Sequence, residues 1–273
     1  MKYIYSESER FFAFNVWDVN SAKSIIDAAG KLKKNIILQT SSRIFSNLDK
    51  EEFYQYIKGY AKKMNVDVYF HLDHCRDFSM ICEAIHSKWD SVMFDGSHLP
   101  LVENIKITNE VCEIAHKNDV LVEAEVGQIK GVEENITSES DVIADIVEIE
   151  TFFNETNIDL FAAAIGTAHG LYKGEPQIHY ELIDQIRQMK DIPFVIHGGT
   201  GLSEAVFRDL LSYKNVKKIN ISTEVKQSYR KAIVKAYKND LLAEKGFEAT
   251  QIEQNIHDEI MNMAYQKIKL LIN

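Results

Sequence analysis

Apolar residues along this chain follow two alternating patterns. Short runs are apolar at consecutive positions, as in Asn35-Ile36-Ile37-Leu38 and Ser91-Val92-Met93-Phe94, the pattern of parallel strands covered on both faces. Longer stretches between them repeat every three or four residues. Within 50–64, Phe53, Ile57, Tyr60 and Ala61 share one face of a helix. Strands are expected at 12–16, 35–40, 67–74, 91–95, 121–126, 160–166, 193–198 and 216–222. Helices are expected at 21–33, 50–64, 78–87, 100–118, 140–157, 179–190, 204–214 and 224–239. Eight β-then-α units without a break in composition predict an α/β fold, a single-domain (β/α)8 barrel over residues 1–273. An extra amphipathic helix at 248–273 (Ile252, Ile256, Ile260, Met263, Ile268) is expected to pack on the barrel or on a second subunit. A doubly wound sheet is the rival, but it usually opens with a glycine-rich turn after the first strand. Here Trp17-Asp18-Val19-Asn20 follows instead.

Charge and cysteine usage narrow the setting. A net charge of -10 argues against nucleic acid as a partner, although a locally positive pocket can still take a phosphorylated ligand. The three cysteines, Cys75, Cys82 and Cys112, form no CxxC pair and fit a reducing cytoplasm. The N-terminal stretch lacks a signal-peptide pattern, and no apolar run is long enough to span a membrane. A soluble cytoplasmic protein is expected.

The candidate chemistry gathers at strand ends. His74, His169 and His197 close the third, sixth and seventh strands, at the rim where barrels of this kind build active sites. Three imidazoles with an open position are the donor set of a catalytic zinc site. Asp73, Asp95 and Glu125 end strands on the same rim, Asp73 beside a proposed ligand and Asp95 equally suited to capping a helix. Nine of the twelve glycines lie between Gly96 and Gly201, mostly just after strands. His197-Gly198-Gly199-Thr200-Gly201 and Asn220-Ile221-Ser222-Thr223 each lead into a helix N-terminus, where free N–H groups favour an anion. Lys173 adds a nearby positive charge. By position alone, Glu133 and Glu134 read as a solvated acidic loop. His86, His116, His179 and His257 read as solvated, and His71 and His98 as structural.

In this order, His71-Leu72-Asp73-His74, Asp95-Gly96-Ser97-His98, Glu123-Ala124-Glu125-Val126-Gly127, Gly166-Thr167-Ala168-His169-Gly170-Leu171-Tyr172-Lys173, His197-Gly198-Gly199-Thr200-Gly201 and Asn220-Ile221-Ser222-Thr223 resemble the class II, metal-dependent ketose-bisphosphate aldolases. The nearest flavour is the tagatose- and fructose-bisphosphate branch, and the likeness runs from about Phe12 to about Ala232. The resemblance implies Zn2+ on His74, His169 and His197, with Asp95 and Glu125 as a further metal position. It implies Asp73 as the acid/base at the C4 hydroxyl and Glu133 as the loop acid serving C3 of the three-carbon product. Gly170, Lys173, Gly198, Thr200, Ser222 and Thr223 match the family's C1-phosphate and monovalent-cation (Na+ or K+) region, and Asn220 the residue holding the triose. A homodimer or homotetramer acting on a phosphorylated sugar is implied.

Departures concern the substrate's far end. Cys75, Thr200 and Lys130 replace a glycine, a serine and a glycine of the family pattern, and Lys226 stands where an arginine is frequent. The only arginine beyond Lys226 is Arg230. A ketose 1-phosphate, or a bisphosphate held through Asn15, Ser41, Ser42, Arg43 and Lys226, is therefore open. A Schiff-base aldolase would need a rim lysine, whereas Lys217 and Lys218 are expected at the opposite end of the barrel. An amidohydrolase-type enzyme would want His-x-His on the first strand and a histidine on the fifth; neither is present. A barrel that binds sugar phosphate without turnover would not need Asp73 beside a metal.

Overall fold

The computed structural model describes residues 4–5, 8–133, 136–138, 143–170, 172, 174, 176–243 and 245–272, with 130–133 and 136–138 described as backbone. The first half of the chain runs β1 (Phe11–Asn15), α1 (Val19–Leu32), β2 (Ile36–Ser41), α2 (Ser42–Asn47), α3 (Lys50–Met64), β3 (Val68–Cys75), α4 (Phe78–His86), β4 (Ser91–Phe94), α5 (Leu101–Lys117) and β5 (Leu121–Val126). It continues with β6 (Lys130–Glu133), β7 (Ile136–Ser138), α6 (Ile146–Glu155), β8 (Leu160–Ala163), β9 (Ala168–His169) and α7 (Tyr180–Met189). The last elements are β10 (Phe194–Ile196), α8 (Glu204–Ser212), β11 (Val216–Ile221), α9 (Thr223–Lys238) and α10 (Ala249–Lys269). Strands β1, β2, β3, β4, β5, β8, β10 and β11 close into a parallel barrel in that order, as the eight β-then-α units predict.

Three local expectations need correction. The helix expected at 140–157 begins only at Ile146, because the Asp145 carboxylate accepts from the Val147 and Glu148 amides and caps it there. Glu133, read as part of an acidic loop, instead lies on a strand: β6 pairs antiparallel with β7, and β6 also pairs with β9 (Lys130 to Ala168, Gly131 to His169). Helix α2 has six residues, too few for a periodic signal, and is started by the Ser41 hydroxyl accepting from the Ile44 amide at 3.4 Å.

What fills the barrel positions the site. Side chains on a strand alternate faces, and the inward set changes character along each strand. Phe11, Ala13, Ile37, Leu121, Leu160, Ala162 and Val195 cluster toward the N-terminal end, closed off by Ile4 and Tyr5. At the following alternate positions the inward residues are polar and buried: Asn15, Gln39, His71, Asp73, Glu123, Glu125, His197, Lys218 and Asn220. The larger apolar cluster lies outside the barrel, between strands and helices. No described helix is long and apolar enough to cross a membrane, and all three cysteines are free thiols.

Helix α10 packs against α1 and α9, burying Ile252, Ile256, Ile260, Ala264 and Ile268 at four-residue steps. His257, expected in solvent, is half-buried between Ser24 (3.1 Å) and Asp27 (3.3 Å), because its helix face meets α1. This Ser-His-Asp set is a staple and not a nucleophilic triad, since the Ser24 hydroxyl is buried and donates to the Asn20 carbonyl at 2.8 Å. His116, also expected in solvent, instead pairs with Asp159 at 2.8 Å, across the gap between α5 and the start of β8. Ile260 has no exposed surface, so Ile260→Ala is expected to cost about 2–5 kcal/mol, read as a lowered urea midpoint with unchanged slope. A loss under about 0.5 kcal/mol would mean that α10 does not pack in solution as described.

Candidate active site

His74 near the end of β3, His197 just past β10 and His169 come together. The sixth barrel strand, expected to run to 166 and to be closed by His169, stops at Ala163, so that His169 sits beyond it on the short strand β9. One ring nitrogen from each lies within 4.8 Å of the others, the only such His/Cys/Asp/Glu group among the described residues. The rings are centred 4.5 Å (His74 to His197), 5.0 Å (His74 to His169) and 6.0 Å (His169 to His197) apart. His74 reaches this point through a left-handed backbone (φ 47°), where the β3–β4 register slips between Leu72 and Cys75. For a residue with a Cβ that conformation costs of order 1–3 kcal/mol, and here it turns the imidazole toward its partners.

The surroundings of the three rings fit a divalent cation. Nε2 of His197 lies 2.9 Å from Glu123 Oε1, leaving Nδ1 to face the centre, 3.0 Å from Glu125 Oε2. That Nδ1 and that Oε2 are buried and lack a hydrogen bond of good geometry, as expected of donor atoms facing an ion. His74 Nδ1 lies 3.6 Å from Asp95 Oδ2, an ion-pair distance. Burial pushes both imidazoles down. Asp73, Asp95 and Glu125 nevertheless raise His74 well above the ordinary histidine range, and Glu123 with Glu125 pushes His197 up to about 8. A pocket that draws protons onto its imidazoles has surplus negative charge, which a dication neutralises.

Beneath the triad lies a charged network that reading the sequence missed. Glu123 Oε2 receives Lys218 Nζ at 2.8 Å and lies 3.6 Å from His71 Nε2. His71 Nδ1 is 2.8 Å from Ser91 Oγ. Burial disfavours the Glu123 carboxylate, yet Lys218, His71 and His197 hold it well below the usual carboxylate range. Lys218, expected at the far end of the barrel from its place early in β11, does pair in register with Phe11 and Val195, but its side chain reaches into the interior. It is fully buried in the interior and locked in this pair. The available signal was polarity at alternate strand positions: 71 and 73, 123 and 125, 218 and 220.

Asp73 is held by three amides. Asn15 Nδ2 (3.1 Å) and Gln39 Nε2 (2.8 Å) donate to Oδ2, and Asn220 Nδ2 (3.2 Å) donates to Oδ1. Gln39 also donates to Asn15 Oδ1 at 2.7 Å. Three N–H donors thus converge on one carboxyl group, and an ionised carboxylate, an acceptor only, can accept all three. Gln39 was absent from the expected site. Asp95, by contrast, is engaged by Arg76 at 3.1 Å and by the Ser97 hydroxyl at 2.6 Å.

The loops around this centre are tied to one another. Tyr172 Oη accepts from the Ala168 amide at 3.0 Å and donates to the Gly198 carbonyl at 2.7 Å, clamping the His169 and His197 loops. Thr200 Oγ1 accepts from the Glu224 amide at 3.2 Å, joining the loops after β10 and β11. Ser222 precedes α9 with a buried hydroxyl that lacks a hydrogen-bond partner, and Thr223 is the first residue of that helix. Gly170 (φ 95°) follows His169 in open space. Glu133 lies on β6, two residues past the Gly131–His169 pairing, and only its backbone is described. Lys173 and Glu134 lie outside the described residues. On the β1 side, Asn15, Ser41, Arg43, Lys226 and an edge-to-face Trp17–Tyr229 pair line a cavity of about 540 Å³. Ser42 opens α2 beside it.

Gly198 has φ 68°, and a Cβ there would collide with the backbone of Ala168. Gly198→Ala is expected to cost at least about 2 kcal/mol in denaturant unfolding, and wild-type stability would show that the two loops are not packed this closely.

The family model for class-II fructose-bisphosphate aldolase matches residues 1–273. Among solved structures, the YdjI aldolase of Escherichia coli K12 is similar at 27% identity and TM-score 0.80, covering 98% of this chain and 93% of its own. A fructose-bisphosphate aldolase of Campylobacter jejuni is similar at 19% identity and TM-score 0.80, covering 99% and 92%, a likeness of fold alone. With a matching family model over its whole length, the chain belongs to the class-II fructose-bisphosphate aldolase family and is an aldolase, a carbon–carbon lyase.

Proposed function

We propose that the protein is a zinc-dependent aldolase that reversibly cleaves a phosphorylated ketose between C3 and C4, yielding glycerone phosphate and an aldehyde. Support comes chiefly from one juxtaposition: Asp73, fixed by Asn15, Gln39 and Asn220, adjoins His74 in a histidine triad able to hold a metal. His74, His169 and His197 hold the Zn2+, with Glu125 and Asp95 as a second metal position. A bound zinc ion supplies Lewis-acid polarisation of the ketose carbonyl and offsets the charge left at C3. Asp73 takes the C4 hydroxyl proton, so that the C3–C4 electron pair stays with the three-carbon fragment and the aldehyde departs. Glu133, on the strand paired beside His169, returns a proton to C3 of that fragment.

Gly170, Lys173, Gly198, Thr200, Ser222 and Thr223 bind the C1 phosphate together with Na+ or K+, and Asn220 orients the triose. The unpartnered Ser222 hydroxyl at a helix N-terminus supports this assignment. The distal end of the sugar enters the cavity beside Asn15, which both lines it and bonds the base. Its cations, Arg43 and Lys226, with Ser41 and Ser42, favour an anionic terminus. A tagatose- or fructose-1,6-bisphosphate fits that charge, and a ketose 1-phosphate is the second candidate. We infer a cytoplasmic homodimer or homotetramer in which the whole chain forms one catalytic unit.

Asp73→Ala is expected to retain zinc and lose about 10²–10⁴ in kcat, whereas His197→Ala is expected to lose the metal. Elemental analysis and a coupled assay for glycerone phosphate release check both, with chelator abolishing turnover and added zinc restoring it. Normal turnover in Asp73→Ala, or full metal content in His197→Ala, would refute these roles. Across a panel of ketose mono- and bisphosphates, Arg43→Met and Lys226→Met are expected to raise KM by about tenfold for bisphosphates only. An equal effect on 1-phosphates would remove the distal assignment.

A further inference from the structure

The loops after β10 and β11 run into α8 and α9, so any anion held between them depends on how those two helix N-termini are set relative to each other. Inside the barrel, two contacts fix them: Glu224 N–H to Thr200 Oγ1 at 3.2 Å, and Gly199 N–H to the Asn220 carbonyl at 3.2 Å. A third contact comes from outside the barrel. Lys267, near the end of α10, places Nζ 2.9 Å from Glu224 Oε2 on the first turn of α9. The same Nζ lies 4.6 Å from the ring centre of Phe207 on α8. One ammonium therefore touches both helices, and its side chain is only 12% exposed.

Removing a lysine from water costs hydration and rotamer freedom, so an apolar residue would seal this cleft at lower cost. The position beneath Lys267 is held independently, because Ala264 and Ile268 are fully buried on the same helix. A charge is therefore not needed to dock α10. What the charge does provide is direction. It draws Glu224, and with it the start of α9, toward the C-terminal helix, while the Glu224 amide stays on Thr200. Ser222 and Thr223 immediately precede Glu224, so their placement follows.

We propose that Lys267 is a positioning residue for the phosphate end of the substrate, making the C-terminal helix part of the binding apparatus and not only a cover for α1 and α9. This rests on the reading that phosphate binds at the β10 and β11 loops.

The test uses the full-length, zinc-loaded enzyme with inorganic phosphate as a competitive probe. Lys267→Met is expected to raise the phosphate inhibition constant and the KM for phosphorylated ketose together by roughly tenfold, the low end of what supporting partners cost. Over the same change kcat is expected to stay within about twofold, and zinc content to stay at one equivalent of the wild type. Lys267→Arg keeps both the ion pair and the ring contact and is expected to restore most of the affinity. If Lys267→Met does not fold, Glu224→Gln removes the same charge pair without changing volume and is expected to weaken phosphate equally. Phosphate inhibition unchanged in the folded variants overturns the role of Lys267. Wild-type enzyme that turns over ketose but is not inhibited by phosphate overturns the phosphate site itself, and this proposal with it.

Discussion

A barrel interior must be filled, and in this protein its upper half is filled with charge. Glu123 sits at the centre with no exposed surface, meeting Lys218 at 2.8 Å, His197 at 2.9 Å and His71 at 3.6 Å. A buried carboxylate is tolerated only when its partners are close and well directed. The partners here come from β3, β11 and the end of β10, so the pair network specifies their register as well as satisfying the charge. One consequence reaches the rim. Because Glu123 takes Nε2 of His197, the other ring nitrogen is left to face His74 and His169. The same use of alternate strand positions places Asp73 above His71 and Glu125 above Glu123.

Local backbone strain lies where this interior meets the loops. His74 has φ 47° at the register slip of β3, and Gly198 has φ 68° against the Ala168 backbone. Both bring rings or loops closer than regular strands would allow. Tyr172 then closes the gap with one hydroxyl that serves as acceptor and donor at once. Paired strands below and the Tyr172 clamp above thus hold the three rings together.

Much of the architecture could be read directly from the chain. Consecutive apolar residues marked the barrel strands because both faces of each are covered, and the end of each run marked the rim. His74, His169 and His197 stood out since a histidine closing an apolar run is unusual for packing. Shorter-range features escaped notice. A six-residue helix such as α2 has no period to detect, and the pairing of β6 with β9 joins residues more than thirty positions apart. Gln39 and Glu123 were given no role, and Lys218 was assigned only to the opposite end of the barrel, for a different reason. Each looks like an ordinary polar residue in a strand until its neighbours across the barrel are known.

Residue order alone thus settled the alternation of strand and helix, the barrel that follows from it, and the identity of the three converging imidazoles. Those properties are local, following from periodicity and from which side-chain types tolerate burial. Only the closed fold decided that Asp73 is held by amides from β1, β2 and β11, that Lys218 belongs to the interior, and that α10 reaches the start of α9. Each of these joins residues far apart in the chain, and no local pattern encodes a distance that exists only once the eight strands have met.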